Sequence, residues 1–323
     1  MNRLACMTFA VALFSMAACG SKSTSTAGTG SAQSAKPVPA GAASAEQVAK
    51  EMRGSVRCPA KASTQPPAGA PVDDVTGIRP GMSWDEAANF VMCDNPLMVV
   101  TENSSRNFGI NTYGQHIRQG FDGTFAQPRV VKNSQQILED MRKAEMLRSE
   151  NAYIAPLQPG QSRYFVSTMG LPGKEQVLSV AREEYYADGK QPTMDSVKQA
   201  LISKYGPPTF EKDGGRTYFS WGFDPAGNRV PPGSQLSSSC SMNTPTPDSA
   251  VHLSSDCGVI VGAVIDALPS NPGLAHDLDV MSQNGAQDMT ALKAVADYFQ
   301  KGDEARRANE LNNASKNAGS PKL

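Results

Sequence analysis

The chain has 323 residues, with 30 lysines and arginines against 31 aspartates and glutamates, a formal net charge of −1 and 39% hydrophobic residues. So balanced a charge leaves no basic footprint for nucleic acid or for an anionic lipid surface. The length suffices for one large or two small domains with real cores.

Arg3 supplies one positive charge, residues 4–16 are mostly apolar without an acid, and Ala17-Ala18-Cys19 follow. The apolar run is too short to span a bilayer stably and the small residues fit a peptidase site, so 1–18 reads as a secretory signal. Met16-Ala17-Ala18-Cys19 resembles the lipobox of bacterial lipoproteins. The resemblance implies a diacylglyceryl thioether on Cys19 and a fatty-acylated amine, palmitate being a typical chain. Gly20-Ser21 follow, with no aspartate after the cysteine. Within that resemblance this implies sorting to the outer membrane, facing the periplasm. Each buried methylene contributes roughly 0.8 kcal/mol, so several acyl chains make a lasting anchor. The membrane is thus an expected partner through Cys19.

Residues 20–43 are mostly Ser, Thr, Ala, Gly, Lys and Pro with almost no bulky apolar side chain, so 19–43 reads as a disordered tether. Its expected span is roughly 25–30 Å. Ser44, with Gln47 three residues on, predicts a short helix stopped by Gly54. Residues 55–75 read as irregular. Ser83-Trp84-Asp85-Glu86 opens a second helix with Trp84, Ala87, Ala88 and Val91 on one face, ending before Asp94-Asn95-Pro96. Strands are predicted over 97–101, 108–113 and 117–125, and a helix over 134–149. Strands 163–169 and 175–183 flank Gly170-Leu171-Pro172-Gly173 as a hairpin. Thr193 caps a helix with Met194, Val197, Leu201 and Tyr205 on one side, stopped by Gly206-Pro207-Pro208. Strands 217–223 and 258–268 follow, separated by a polar excursion over 224–256. Alternation in the first of them predicts burial of Phe219, Trp221 and Phe223 on one face. A final helix over 288–308 carries Met289, Leu292, Val295 and Phe299, with a tail expected to fray after Leu311.

The plan of a capped helix followed by antiparallel strands occurs twice, which divides the mature chain into units 44–160 and 161–270 and a C-terminal helical segment over 271–323. Gly77-Ile78-Arg79-Pro80-Gly81-Met82-Ser83, with Glu86-Ala87 following, resembles the start of the SmpA/BamE and β-lactamase inhibitor protein families, and Lys204-Tyr205-Gly206-Pro207-Pro208 resembles the stop that closes their helical part. The resemblance implies an α+β fold: two small units of helices packed on antiparallel sheets. It also implies a protein-binding rather than catalytic role.

Cys6 leaves with the signal and Cys19 carries lipid, so Cys58, Cys93, Cys240 and Cys257 remain, an even number suited to disulfides in an oxidising compartment. Three pairings are possible. The sequence-local one, Cys58–Cys93 and Cys240–Cys257, is the simplest, and each loop would stabilise by roughly 3–4 kcal/mol. A zinc site is the rival use, but no Cys-x-x-Cys occurs and the three histidines are scattered. No metal or other cofactor is expected.

Sequence signatures of nucleophile elbows, zinc proteases and phosphate-binding loops are missing. His116, His252 and His276 are isolated in sequence. His252, with Asp248 and Asp256 in the disulfide-closed excursion, marks a candidate partner-binding loop, although an ordinary exposed histidine is the simpler reading. Glu183-Glu184 are adjacent in a strand and point to opposite faces, so they cannot share one site. The expected function is a non-enzymatic, lipid-anchored protein that binds another envelope protein as scaffold, assembly factor or adaptor. The first alternative is an inhibitor or immunity protein that plugs a toxin or hydrolase with loop 240–257. The second is a hydrolase using His252 or His276.

Overall fold

Two segments of like layout join edge to edge in the computed structural model, which describes residues 41–317 and 319 except 59–60, 104–107, 150–156, 243–250 and 252. The signal, Cys19 and most of the tether therefore lie outside the described residues, as do Asp248 and His252.

Helix α1 (Ala45–Arg53) begins with a complete capping box: Ser44 Oγ accepts from the Gln47 N–H at 3.3 Å, and Gln47 Oε1 accepts from the Ser44 N–H at 2.9 Å. Helix α2 (Trp84–Asp94) is capped by Ser83 Oγ, which accepts from the Glu86 N–H at 3.3 Å. The Glu86 carboxylate does not close that box. It accepts from the Ser63 N–H at 2.5 Å and from Thr64 Oγ1 at 3.1 Å, tying the irregular 55–75 stretch to α2. Strands β1 (Met98–Glu102) and β2 (Gly120–Phe125) follow, then helix α3 (Ser134–Ser149), β3 (Ser162–Met169) and β4 (Gln176–Tyr185). The second segment runs through helix α4 (Met194–Tyr205), β5 (Phe210–Lys212), β6 (Arg216–Gly222), the short α5 (Gln235–Ser239), β7 (Val259–Leu268) and β8 (Asn271–Asn284), and ends in α6 (Gly285–Asn317).

All eight strands form one antiparallel sheet in the order β1-β2-β3-β4-β8-β7-β6-β5. Each helix-led segment contributes four strands, and their last strands meet at the centre, from Ser179 opposite Gln283 to Tyr185 opposite Asp277. The α+β class expected from the sequence is what the chain adopts. Ala87, Ala88 and Val91 of α2 and Val197, Leu201 and Tyr205 of α4 share one core with Phe121, Tyr164, Val180, Phe219 and Trp221 of the sheet. Phe219, Trp221 and Phe223 are buried together, as their alternation predicts. On the opposite face α1 covers Val99, and Met242 seats on Phe165, Ala181 and Met281. Gly262 permits that seat, because a Cβ there would meet Met242 Cβ at 2.9 Å.

Both sequence-local disulfides are present. Cys58–Cys93 fastens the stretch after α1 to the end of α2, and Cys240–Cys257 closes the excursion between β6 and β7.

Four elements differ from expectation. Residues 108–113 form no strand: Gly109 and Tyr113 take φ of 71° and 50°, which breaks extension, and Phe108 and Ile110 pack instead beside Met169 and Phe299. Residues 271–284, placed above in the C-terminal helical segment, are β8, which pairs with both β4 and β7. Its alternation of Leu278 and Val280 with Asp277 and Asp279 has period two, which suits a strand and not a helix. Strand β5 is three residues long, too short to leave a pattern. Helix α6 continues past Leu311 to Asn317, with Val295 and Phe299 buried near its start and its last turns exposed. Among the described residues, no helix is long and apolar enough to cross a membrane.

Candidate functional site

Beside α4, above the central strands β4 and β8, a cleft of about 420 Å³ opens on the face that α2 and α4 cover. Arg182, Leu278 and Val280 form its floor, Val197, Ala200 and Leu201 line one wall, and Val75 with Thr76 lines another. The turn carrying Thr76 is closed by reciprocal backbone hydrogen bonds between Val75 and Ile78, at 2.8 and 3.0 Å. Both of its central residues have positive φ, 49° at Thr76 and 89° at Gly77. Glycine tolerates that conformation, whereas for a β-branched residue it is a true outlier that the surroundings must enforce. Asp74 does so. Its Oδ2 accepts from the Gly77 N–H at 2.9 Å and from Lys204 Nζ at 2.8 Å, and its carbonyl accepts from Tyr205 OH at 2.8 Å. The end of α4 thereby clamps the turn.

The polar end of the cleft is a directional chain. Arg182 Nε donates to Tyr164 OH at 2.9 Å, and Thr76 Oγ1 donates to the Val75 carbonyl at 2.8 Å. The 3.0 Å contact between them is therefore Tyr164 OH donating to Thr76 Oγ1. Burial pushes the Tyr164 phenol up to about 12, against the opposing pull of Arg182, so it keeps the proton this chain requires. Arg182 also donates through Nη1 to Glu184 at 2.7 Å, and Nη2 lies 3.9 Å from Asp94.

A second feature is α3. Asn133 and Gln136 cap it reciprocally, at 2.9 and 3.0 Å, so its start is well specified. Every described side chain from 127 to 146 is nevertheless exposed. Ile137, Leu138 and Met141 share one side of the helix and are 48%, 54% and 64% exposed, with exposed Val130 and Val131 just before it. A 16-residue amphipathic helix normally owes most of its stability to packing of its apolar face.

Of the residues singled out by sequence, Asp256 is exposed next to the Cys240–Cys257 link, where its side chain accepts from Ser255 Oγ at 3.2 Å. His116 Nε2 meets Glu102 at 3.0 Å, while His276 Nδ1 meets Asp277 at 2.5 Å and its ring lies 4.4 Å from that of Tyr185. Glu183 pairs with Arg163 at 2.5 Å and Glu184 with Arg182, each on its own face of β4. Among the described residues, no group of three or more His, Cys, Asp or Glu side chains is placed to hold a metal ion. Sequence reasoning missed Thr76, Tyr164, Arg182 and Lys204, because folding brings them together from four distant stretches. The one signal available was Arg182, a charge just after the apolar strand core Val180-Ala181.

Compared with protein-family models, curated proteins and solved structures, the chain matches none.

Proposed function

We propose that the chain is a non-enzymatic, protein-binding component of the bacterial envelope, an assembly factor, scaffold or adaptor held at the outer membrane by lipid on Cys19 and facing the periplasm. The observation that carries this reading is α3: a correctly capped helix whose Ile137, Leu138 and Met141 face solvent. Contiguous exposed apolar side chains at helical spacing are the means by which a helix enters a partner's groove. Glu139, Asp140 and Glu145 are balanced by Arg142, Lys143 and Arg148 along the same helix, so it has no net attraction for anionic lipid and suits a protein groove instead. Two disulfides agree with an oxidising space outside the cytoplasm.

The double variant Ile137→Lys with Met141→Lys tests it. Both side chains are exposed, so stability is expected to change by no more than about 0.5 kcal/mol per site. Complexes recovered from detergent-solubilised envelope should lose a partner that the unaltered chain retains. Identical complexes from variant and unaltered chain would remove α3 from the account.

A further inference from the structure

We propose that the cleft beside α4 binds an uncharged acyl ester: a molecule with a short hydrocarbon chain and a hydrogen-bond-accepting carbonyl, of which a monoacylglycerol is the simplest type. This stands apart from α3 and does not depend on it.

The space is of the right kind. A volume of about 420 Å³ falls within the roughly 300–1,000 Å³ typical of small-ligand clefts. Val75, Val197, Leu201, Leu278 and Val280 offer a hydrocarbon chain only apolar contacts. The site is also preformed, since Asp74, Lys204 and Tyr205 hold the Thr76 turn in a conformation a threonine does not adopt unaided. Strain enforced at the wall of a cleft is a pointer to use.

The head group follows from the charges. A guanidinium carries five N–H donors, and the hydrogen bonds of Arg182 to Tyr164 and Glu184 engage two of them. Donors therefore remain for an oxygen entering the cleft. The positive charge of Arg182 is already faced by Glu184 at 2.7 Å and Asp94 at 3.9 Å. A carboxylate would meet those two acids. The other cation lining the cleft, Lys204, is paired with Asp74 at 2.8 Å. An ammonium head would instead meet Arg182 itself. A neutral carbonyl takes the remaining N–H donors without either repulsion. Tyr186 also lines the cleft, and burial together with the neighbouring Glu184 keeps its hydroxyl protonated, so it brings no further negative charge.

The test is a calorimetric titration of the folded protein with 1-monodecanoylglycerol below its micelle concentration, with decanoate and decyltrimethylammonium as charged counterparts. We expect saturable binding to a single site, about tenfold or more tighter than for either charged analogue. Ala200 is exposed at the rim, so Ala200→Trp fills the cleft without entering the core and should abolish binding. Arg182→Met should weaken it by about tenfold, and if that variant fails to fold Ala200→Trp decides alone. Absence of saturable binding, binding unchanged by Ala200→Trp, or equal affinity for the charged analogues overturns the proposal.

Discussion

Trp221→Ala is expected to destabilise the protein by about 3–5 kcal/mol, among the largest losses any single substitution here can cause. Trp221 is fully buried, its ring 5.2 Å from Tyr205 and 5.9 Å from Phe219, so it packs α4 onto the strands of the second segment. Its Nε1–H donates to the Gly206 carbonyl at 2.7 Å, which satisfies the end of α4 just where proline forbids another helical turn. Alanine would leave a cavity and an orphaned carbonyl together. The other tryptophan is the control. Trp84 lies 5.1 Å from Phe121 under the guanidinium of Arg118, but its Nε1–H is buried without a hydrogen-bond partner. Trp84→Phe therefore loses no hydrogen bond and should cost less than about 1 kcal/mol, whereas Trp221→Phe should cost about 1–3 kcal/mol more for the carbonyl it strands. Urea unfolding followed by circular dichroism measures all three. Equal costs for the two phenylalanine variants would show that the hydrogen-bond assignment is wrong.

Stability should fall as pH rises from about 4 to about 8, with a limiting slope of about 1 kcal/mol per pH unit for each of two buried acids. Asp279 is pushed up to about 8 by burial first, then by Glu183, Asp277 and Asp266 around it, with Arg216 opposing. Asp288 is pushed up to about 9 by burial. Neither carboxylate oxygen makes a hydrogen bond of good geometry, and the nearby Asn284 N–H opposes the rise without cancelling it. The sign follows from proton binding. The folded chain holds these protons to higher pH than the unfolded chain does. Their contribution is complete below the unfolded carboxylate range and is lost as pH climbs through the folded values. Glu175 acts in the other direction: burial raises it, but backbone N–H groups and the Arg118 guanidinium outweigh burial and hold it below the usual range. Its contribution is present above the unfolded carboxylate range and is lost as pH falls through the lowered value. The melting temperature should therefore peak at mildly acidic pH. Asp288→Asn, neutral at every pH, should flatten the decline between pH 5 and 8 by about half. A profile that rises steadily to pH 8, or one that the asparagine leaves unchanged, would contradict the burial of uncharged acids.

Local chemistry was legible where one residue decides the geometry. Ser44, Ser83 and Thr193 announce their helices because a side-chain oxygen must satisfy an early backbone N–H, and each does so. The four remaining cysteines paired locally, and the alternation around Trp221 gave its buried face. Strand β8 escaped because Pro272 and Gly273 open it and charged Asp277 and Asp279 occupy one of its faces. The central pairing of β4 with β8 could not be read, since no local signal says which strands of two segments will meet. Helix α3 was legible as a helix over 134–149, but an amphipathic pattern predicts burial and cannot announce that its apolar side stays uncovered. The cleft was invisible for a similar reason. Thr76, Tyr164, Arg182 and Lys204 become neighbours only through tertiary structure.

If α3 is the surface by which this chain engages another envelope protein, a photo-crosslinking residue at position 141 in living cells should yield a discrete adduct. The same residue at position 311, exposed near the end of α6, should not. The adduct should disappear when Ile137 is also replaced by lysine. No adduct at position 141, or the same adduct from both positions, would contradict a partner-binding role for α3.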